Sequence, residues 1–342
     1  MHIALDVMGS DRGADELVAG ALLALGASSI KITLVGDEEA ISAALGKRNF
    51  GPAIAVLPTS QVVSMADSPI DAIRRKKDSS MVRAFELLKN KEVDAVVSAG
   101  NSGAVMASAI KFLGRLKDIS RPAIASVFPT LKGPLIMADV GANVDCRPKH
   151  LYQFGVMASS FSKIMFGISE PRVGLLSIGE EGGKGNALVK KTHELLSASN
   201  LNFIGNVEGR DTFHGDVDVI VCDGFVGNVC LKLSEGLAES VLIMLREEIS
   251  KTFRAKMGYM LAQKAFGNFK KRVDYAEYGG APLLGLNGTA IICHGRSNAK
   301  AIQNAILVAD ELAANRVNDH ILANLALDEA GLAAAADDEA DK

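Results

Sequence analysis

Six times this chain runs from an apolar, β-rich stretch into a loop of glycine, asparagine and acid, and then into a helix-like segment. The loops are Gly9-Ser10-Asp11, Gly100-Asn101-Ser102-Gly103, Gly141-Ala142-Asn143, Gly179 to Asn186, Asp223 to Asn228, and His294-Gly295-Arg296-Ser297-Asn298. Alternating β and α segments leave few folds open: they build an open, mostly parallel sheet with helices on both faces. In such a sheet the loops after the strand carboxyl ends form the ligand site. Glycine lets backbone amides approach an anion, and a helix N-terminus directs partial positive charge at it. The pattern predicts an α/β enzyme with an anionic ligand before any motif is matched.

Strands are expected at 2–7, 30–35, 53–57, 93–98, 123–128, 134–140, 172–178, 217–222 and 289–294. These short Val/Ile/Leu/Ala runs lack strict alternation, as strands covered on both faces do. Helical periodicity fills 79–90, 102–116, 148–166 and 186–198. No repeat indicates a solenoid. Residues 1–330 read as a single elaborated α/β catalytic domain, and 331–342, mostly alanine and acid, as a frayed or disordered tail.

With 48% hydrophobic and 23% charged residues, a chain of 342 can build a large core. A net charge of −3 leaves no global footprint for nucleic acid. Cys146, Cys222, Cys230 and Cys293 show no CxxC spacing, which suits a reduced cytosolic protein better than a disulfide framework or zinc site. The first strand, Ile3 to Val7, is not preceded by a charged and then apolar leader, so no signal peptide is expected. No apolar run approaches the ~20 residues that span a bilayer.

One segment differs from the rest. Val229, Leu233, Leu237, Val241, Leu245, Ile249 and Phe253 recur at every fourth position and predict a long helix over 229–253. Residues 251–272 then carry Lys251, Arg254, Lys256, Lys264, Lys270, Lys271 and Arg272 with no acid, interleaved with Phe253, Met257, Tyr259, Met260, Leu261, Phe266 and Phe269. Such a segment suits an anionic membrane surface or an acidic partner. It also suits an amphipathic helix packed on its own domain or on a twin subunit.

The loop from Gly179 to Asn186 invites comparison with a P-loop, which requires GxxxxGK followed by Ser or Thr. Here only three residues separate Gly179 from Gly183, and Gly185 follows Lys184, so no hydroxyl is available for magnesium. What survives is glycine-freed backbone at Gly182 and Gly183, a helix starting near Asn186, and Lys184 at its N-terminus. That is an anion or oxyanion site with a mobile cation, or a solvated turn with a surface lysine. Gly227 and Asn228 precede the long helix, with Asn228 at a natural N-cap position; its amide could also polarise a carbonyl. Gly100, Asn101, Ser102, Gly103 and Asn143 offer similar donors. Arg74 to Lys77 run into a cap and suit either phosphate or a solvated face. His294 ends a strand, as an acid/base or as a hydrogen-bonded structural group. No GxSxG elbow, Ser/His/Asp order, HExxH or paired metal-ligand spacing is present, so neither metal nor cofactor is called for.

Taken in order, Ile3 to Asp11, Arg74 to Met81, Ser98 to Ala104, Asp139 to Asn143, the Lys184 loop, Asp223 to Asn228 and Tyr278 to Gly285 resemble the bacterial phosphate acyltransferase family of phospholipid synthesis, the PlsX family. The resemblance covers about residues 1–325. It implies acyl transfer from acyl-carrier protein to inorganic phosphate, giving an acyl phosphate that a downstream membrane acyltransferase uses. It implies a homodimer with a fold similar to isocitrate and isopropylmalate dehydrogenases and to phosphotransacetylase. Lys184 and Asn228 match the family's active-site lysine and asparagine. The helical extension at about 229–272 matches a segment associated with dimer contact and membrane binding, which implies a cytoplasmic protein held peripherally at the inner face of the cell membrane. Two positions depart from the family: Arg296 stands where His-Gly-Ser-Ser is usual, and Leu233 where Thr is frequent.

The residues fit that chemistry. Phosphate is already an anionic nucleophile, so no covalent Ser or Cys is required; Lys184 would stabilise phosphate or oxyanion charge and Asn228 orient the carbonyl. Ala281 to Leu286 and the apolar faces of 229–269 are candidates to line an acyl groove. The alternatives are phosphotransacetylase-like exchange with coenzyme A, or a non-catalytic peripheral membrane scaffold. A dehydrogenase lacks support, since no GxGxxG follows a strand.

Overall fold

The computed structural model describes residues 1–47, 50–273 and 278–340. In chain order the elements are β1 (His2–Asp6), α1 (Ala14–Ala27), β2 (Lys31–Gly36), α2 (Glu38–Leu45), β3 (Ile54–Pro58), α3 (Pro69–Arg75), α4 (Ser80–Lys89), β4 (Ala95–Ser98), α5 (Ser102–Leu113), β5 (Ala123–Pro129), β6 (Pro134–Ala138), α6 (Pro148–Phe166), β7 (Val173–Leu176), α7 (Ala187–Ser197), β8 (Phe203–Val207), β9 (Val219–Val221), α8 (Gly224–Lys251), α9 (Phe253–Leu261), α10 (Gln263–Val273), β10 (Ala281–Leu284), β11 (Thr289–Ile292), α11 (Ala299–Ala314) and α12 (Val317–Ala340). The strands form one sheet in the order β3-β2-β1-β4-β11-β10-β5-β6-β9-β7-β8.

The sheet has two parallel halves. β3, β2, β1, β4 and β11 run together, and β6, β9, β7 and β8 run together. Between them β10 is antiparallel to both β11 and β5, and β5 is antiparallel to β6. The halves therefore run in opposite senses and meet at β10 and β5. Apolar side chains on both faces of the inner strands explain the missing alternation: Ile3 and Leu5 of β1 pack with Phe154 and Phe161 under α6, α1 and α11, while Ala4 packs with Phe85 under α4 and α5.

Every strand expected from the sequence is present, with ends displaced by a residue or two. Two were not expected. β8 is interrupted by Gly205 at φ 101, and β10 is a four-residue strand with Pro282 inside it; glycine and proline both read as breakers. Residues 282–286 are buried, so this segment is central core, and Ala281 at its start lines the cavity described below. It does not line a long acyl groove.

The predicted long helix exists as α8, but only its first turns pack on its own domain. Its buried residues are Gly224 and Gly227, and the four-spaced row is open, with Val229 50%, Leu233 70% and Leu237 62% exposed. The basic segment is broken rather than continuous. Thr252 ends α8 and caps α9 through Oγ1, which accepts from Ala255 N at 3.1 Å. α10 then folds back, bringing Phe266 and Phe269 beside Leu245. Where composition predicts a frayed tail, α12 carries helix on to Ala340; alanine is the strongest helix former.

Candidate active site

A cavity of about 360 Å³ opens where the two halves meet. Ile124, Ser126 and Val127 of β5 form part of its wall, with Gly280 and Ala281 at the start of β10. Post-strand loops of both halves close it: Ser102 after β4, Cys293, His294 and Ser297 after β11, Gly141 after β6, and Asn228, Lys232 and Glu235 after β9.

The loops of the first half are saturated with their own hydrogen bonds. Asn101 caps α5 by accepting from Ala104 N at 3.1 Å, while its Nδ2 donates to Met65 O at 3.0 Å and Asp67 O at 3.1 Å. A Cβ at Gly100 would stand 2.8 Å from Met81 Cε, and one at Gly103 2.8 Å from Pro69 Cγ, so a side chain at either position would displace its neighbour. Below them Ser98 Oγ donates to Asp6 at 2.7 Å, and burial pushes the Asp6 carboxyl up to about 6.

The turn after β6 is equally closed on itself. Asp139 is buried and accepts from Ile124 N, Gly141 N, Ala142 N and Asn143 N; burial raises its carboxyl against the pull of those donors. Asn143 Nδ2 donates to Pro122 O at 2.7 Å and to Asp139 at 3.0 Å. Of the predicted substrate-binding residues, Ser102 alone lines the cavity; Gly100, Asn101, Gly103, Asn143 and Gly227 do not, and Gly182, Gly183 and Asn186 lie in the Lys184 loop.

α8 starts hard against this turn. A Cβ at Gly227 would fall 2.0 Å from the Asp139 carbonyl oxygen, and Gly224 N donates to Asn143 O at 2.8 Å. The cap is Asp223, whose Oδ1 accepts from Phe225 N and Val226 N at 3.0 Å. Asn228 is thus not the N-cap that its position suggests. It stands inside the helix, and among the described residues its side-chain amide makes no hydrogen bond. Leu231, Lys232 and Glu235 follow on the same face at helical spacing and line the same cavity.

The Lys184 loop follows β7, the neighbour of β9. Its frame is fixed by Lys184 N donating to Glu181 O at 2.9 Å, by Asn206 Nδ2 donating to Glu181 O at 2.9 Å, and by Asn186, which caps α7. Gly182 lies against the His193 ring, and Gly183 faces open space. The Lys184 side chain is exposed, without an ion pair among the described residues, and does not line the cavity. Asn206 was not singled out by sequence because its strand was not recognised.

These donors can receive an anion, but the site lacks an ionised thiol. Cys293 is the cavity's cysteine, and burial pushes its thiol up to about 12, leaving no thiolate at neutral pH. Among the described residues no group of three or more His, Cys, Asp or Glu is placed to hold a metal ion.

The model of a family described as "Fatty acid synthesis protein" matches residues 1–320. A protein from Geotalea uraniireducens named "Phosphate acyltransferase" is 55% identical over 326 residues, 95% of this chain and 94% of its own length. One of the same name from Pelotomaculum thermopropionicum is 53% identical over 325 residues, 95% of each chain. The chain belongs to the phosphate acyltransferase family. Solved structures place the family's fold among neighbours of lower identity. A phosphotransacetylase from Streptococcus pyogenes aligns with a TM-score of 0.63 at 16% identity, covering 92% of this chain and 94% of that one. A 4-hydroxythreonine-4-phosphate dehydrogenase from Klebsiella pneumoniae aligns at 0.53 and 16%, covering 92% and 99%. Both are likenesses of fold.

Lys232 and Glu235 went unremarked in the sequence. The signal was available in the spacing: Asn228, Leu231, Lys232 and Glu235 share one helix face, opposite in purpose to the four-spaced apolar row.

Proposed function

We propose that the chain transfers an acyl group from acyl-carrier protein to inorganic phosphate, giving an acyl phosphate for phospholipid synthesis. The family's shared name makes acyl transfer to phosphate the reaction. What supports placing it at this cavity is Asn228, a free amide donor held in the wall by a helix that Asp223 caps in its stead.

A phosphate oxygen attacks the thioester carbon, the C–S bond breaks with its electron pair on sulfur, and the proton of hydrogen phosphate ends on the released thiol. Asn228 orients the carbonyl, and Lys184 swings from the neighbouring loop to offset the charge of phosphate or oxyanion. Positioning both reactants together contributes up to ~7–11 kcal/mol when alignment is good.

The exposed apolar row of α8 supports a homodimer in which a second copy covers it. The cations of α9 and α10, with Phe253 76%, Met260 67% and Leu261 88% exposed, support docking on an anionic membrane surface, where the acyl phosphate meets a membrane acyltransferase. Among the described residues no helix is long and apolar enough to cross a membrane. The test is release of carrier thiol from long-chain acyl-carrier protein with and without phosphate. Phosphate-dependent release is expected, and its absence sinks the reading. The phosphotransacetylase-like fold makes coenzyme A the comparison donor; faster turnover with acyl-coenzyme A would favour that exchange instead.

A further inference from the structure

We propose that Glu235 accepts a hydrogen bond from the P–OH of hydrogen phosphate, so that the cavity takes phosphate and refuses sulfate. The proposal rests on the reading that phosphate is the nucleophile bound there.

Glu235 is the one carboxylate among the described residues that line the cavity. Its other polar side chains include the hydroxyls of Ser102 and Ser297, the amide of Asn228, the ammonium of Lys232 and the ring of His294. His294 Nδ1 takes the hydrogen bond from Arg296 N at 3.1 Å, which places the ring proton on Nε2 and makes that atom a donor. An anion site needs donors, and an acid among them is a liability unless the ligand brings a proton of its own.

Three observations set Glu235 apart from an ordinary surface acid. It is half-buried, and among the described residues it has neither a hydrogen bond nor an ion pair. Burial raises its carboxyl, while the neighbouring His294 and Lys232 pull it back, so both side chains are near enough to be felt. It stands one helical turn from Lys232 and two from Asn228, on the helix face that lines the cavity.

Phosphate and sulfate are nearly the same size and shape. Across neutral pH inorganic phosphate carries at least one P–OH, and sulfate carries no proton. A carboxylate facing the ligand accepts from the first and repels the second. A buried polar group left without its partner gives stronger discrimination than any change in pocket size.

The experiment measures the KM for phosphate and the inhibition constant for sulfate in phosphate-dependent turnover, for the wild type and Glu235→Gln. Loss of one hydrogen bond to a charged group corresponds to about 10–100-fold. In E235Q the phosphate KM is expected to rise and the sulfate constant to fall, each by about 10-fold, with the thermal transition unchanged. Glu235→Asp is expected to keep the rejection of sulfate. If E235Q leaves the ratio of the two constants as in the wild type, the proposal is overturned. Direct titration of the wild type with each anion tests the same point without a variant: phosphate binding with sulfate much weaker supports it, and equal affinities overturn it. Should the wild type show no phosphate-dependent turnover, the acyl-transfer reading fails. Should it turn over while sulfate competes as well as phosphate, the role of Glu235 alone fails.

Discussion

Asn101 and Asn228 look alike in sequence: each stands at the end of a glycine loop between a strand and a helix. Their surroundings separate them. The amide of Asn101 caps α5 and holds the 64–67 turn, so both its ends are engaged. Asn228 leaves capping to Asp223 and keeps its amide free at the cavity. The contrast extends to the loops around them. The 98–103 loop is built on Asp6 and Ser98 and closes on itself, whereas the 223–235 stretch presents Asn228, Lys232 and Glu235 outward on one helix face. A polar residue whose hydrogen bonds are complete builds the site; one left incomplete next to a cavity is available to a ligand.

The largest effect expected from this contrast is on turnover. Asn228→Ala and Lys184→Ala should each lower kcat by ~10²–10³, the usual loss for one oxyanion donor. Neither should lower the Tm, and Asn228→Ala should raise it slightly, because alanine is the better residue inside a helix. Asn101→Ala should show the opposite profile: a loss of ~1–2 kcal/mol of stability from the missing cap, with turnover per folded molecule retained. A variant of Asn101 that keeps its Tm and loses turnover would break the comparison.

Asp6 gives the scaffold a pH signature. Its carboxyl sits at about 6 in the folded protein, above the ordinary 3.8. The folded state therefore binds the proton more tightly than the unfolded state, and stability falls as pH rises through this window. Between about pH 3 and 7 this group alone should remove about 3 kcal/mol, roughly 2 kcal/mol of it from pH 4 to 6. Chemical denaturation across that range should show the slope, and Asp6→Asn should flatten it. An unchanged slope would mean that the 98–103 loop is not supported in this way.

How much of this was legible beforehand follows from the same distinction. The alternation of strands and helices, the post-strand loops and the family resemblance all rest on local patterns that the chain displays directly. What tertiary packing decided was not visible. Asn228 reads as an N-cap until Asp223 is seen to hold the amides of Phe225 and Val226. Asn143 reads as a donor to substrate until its Nδ2 is found on Pro122 and Asp139. β10 was hidden because Pro282 argues against a central strand, yet Pro282 pairs with Ile291 in the middle of the sheet. The row from Val229 to Val241 has the spacing of a core face, and only the packing shows that its own domain does not cover it.

The smallest expected effect carries the contrast from amides to cations. Lys76 is engaged, with Nζ 2.5 Å from Asp67, and Arg172 holds Asp218 at 2.9 Å. Arg254, Lys256 and Lys264 have no ion pair among the described residues and sit beside exposed Met257, Met260 and Leu261. Each free cation near an anionic bilayer contributes about 1 kcal/mol, or about 5-fold in partitioning. Replacing Lys256 or Lys264 with Gln should therefore weaken sedimentation with phosphatidylglycerol vesicles by about 5-fold apiece, and added salt should reduce wild-type binding in the same direction. Lys76→Gln should leave vesicle binding alone, because its charge is already answered within the fold. Equal losses from Lys76 and Lys264 would show that net charge, rather than the presence of an internal partner, decides which cations reach a membrane.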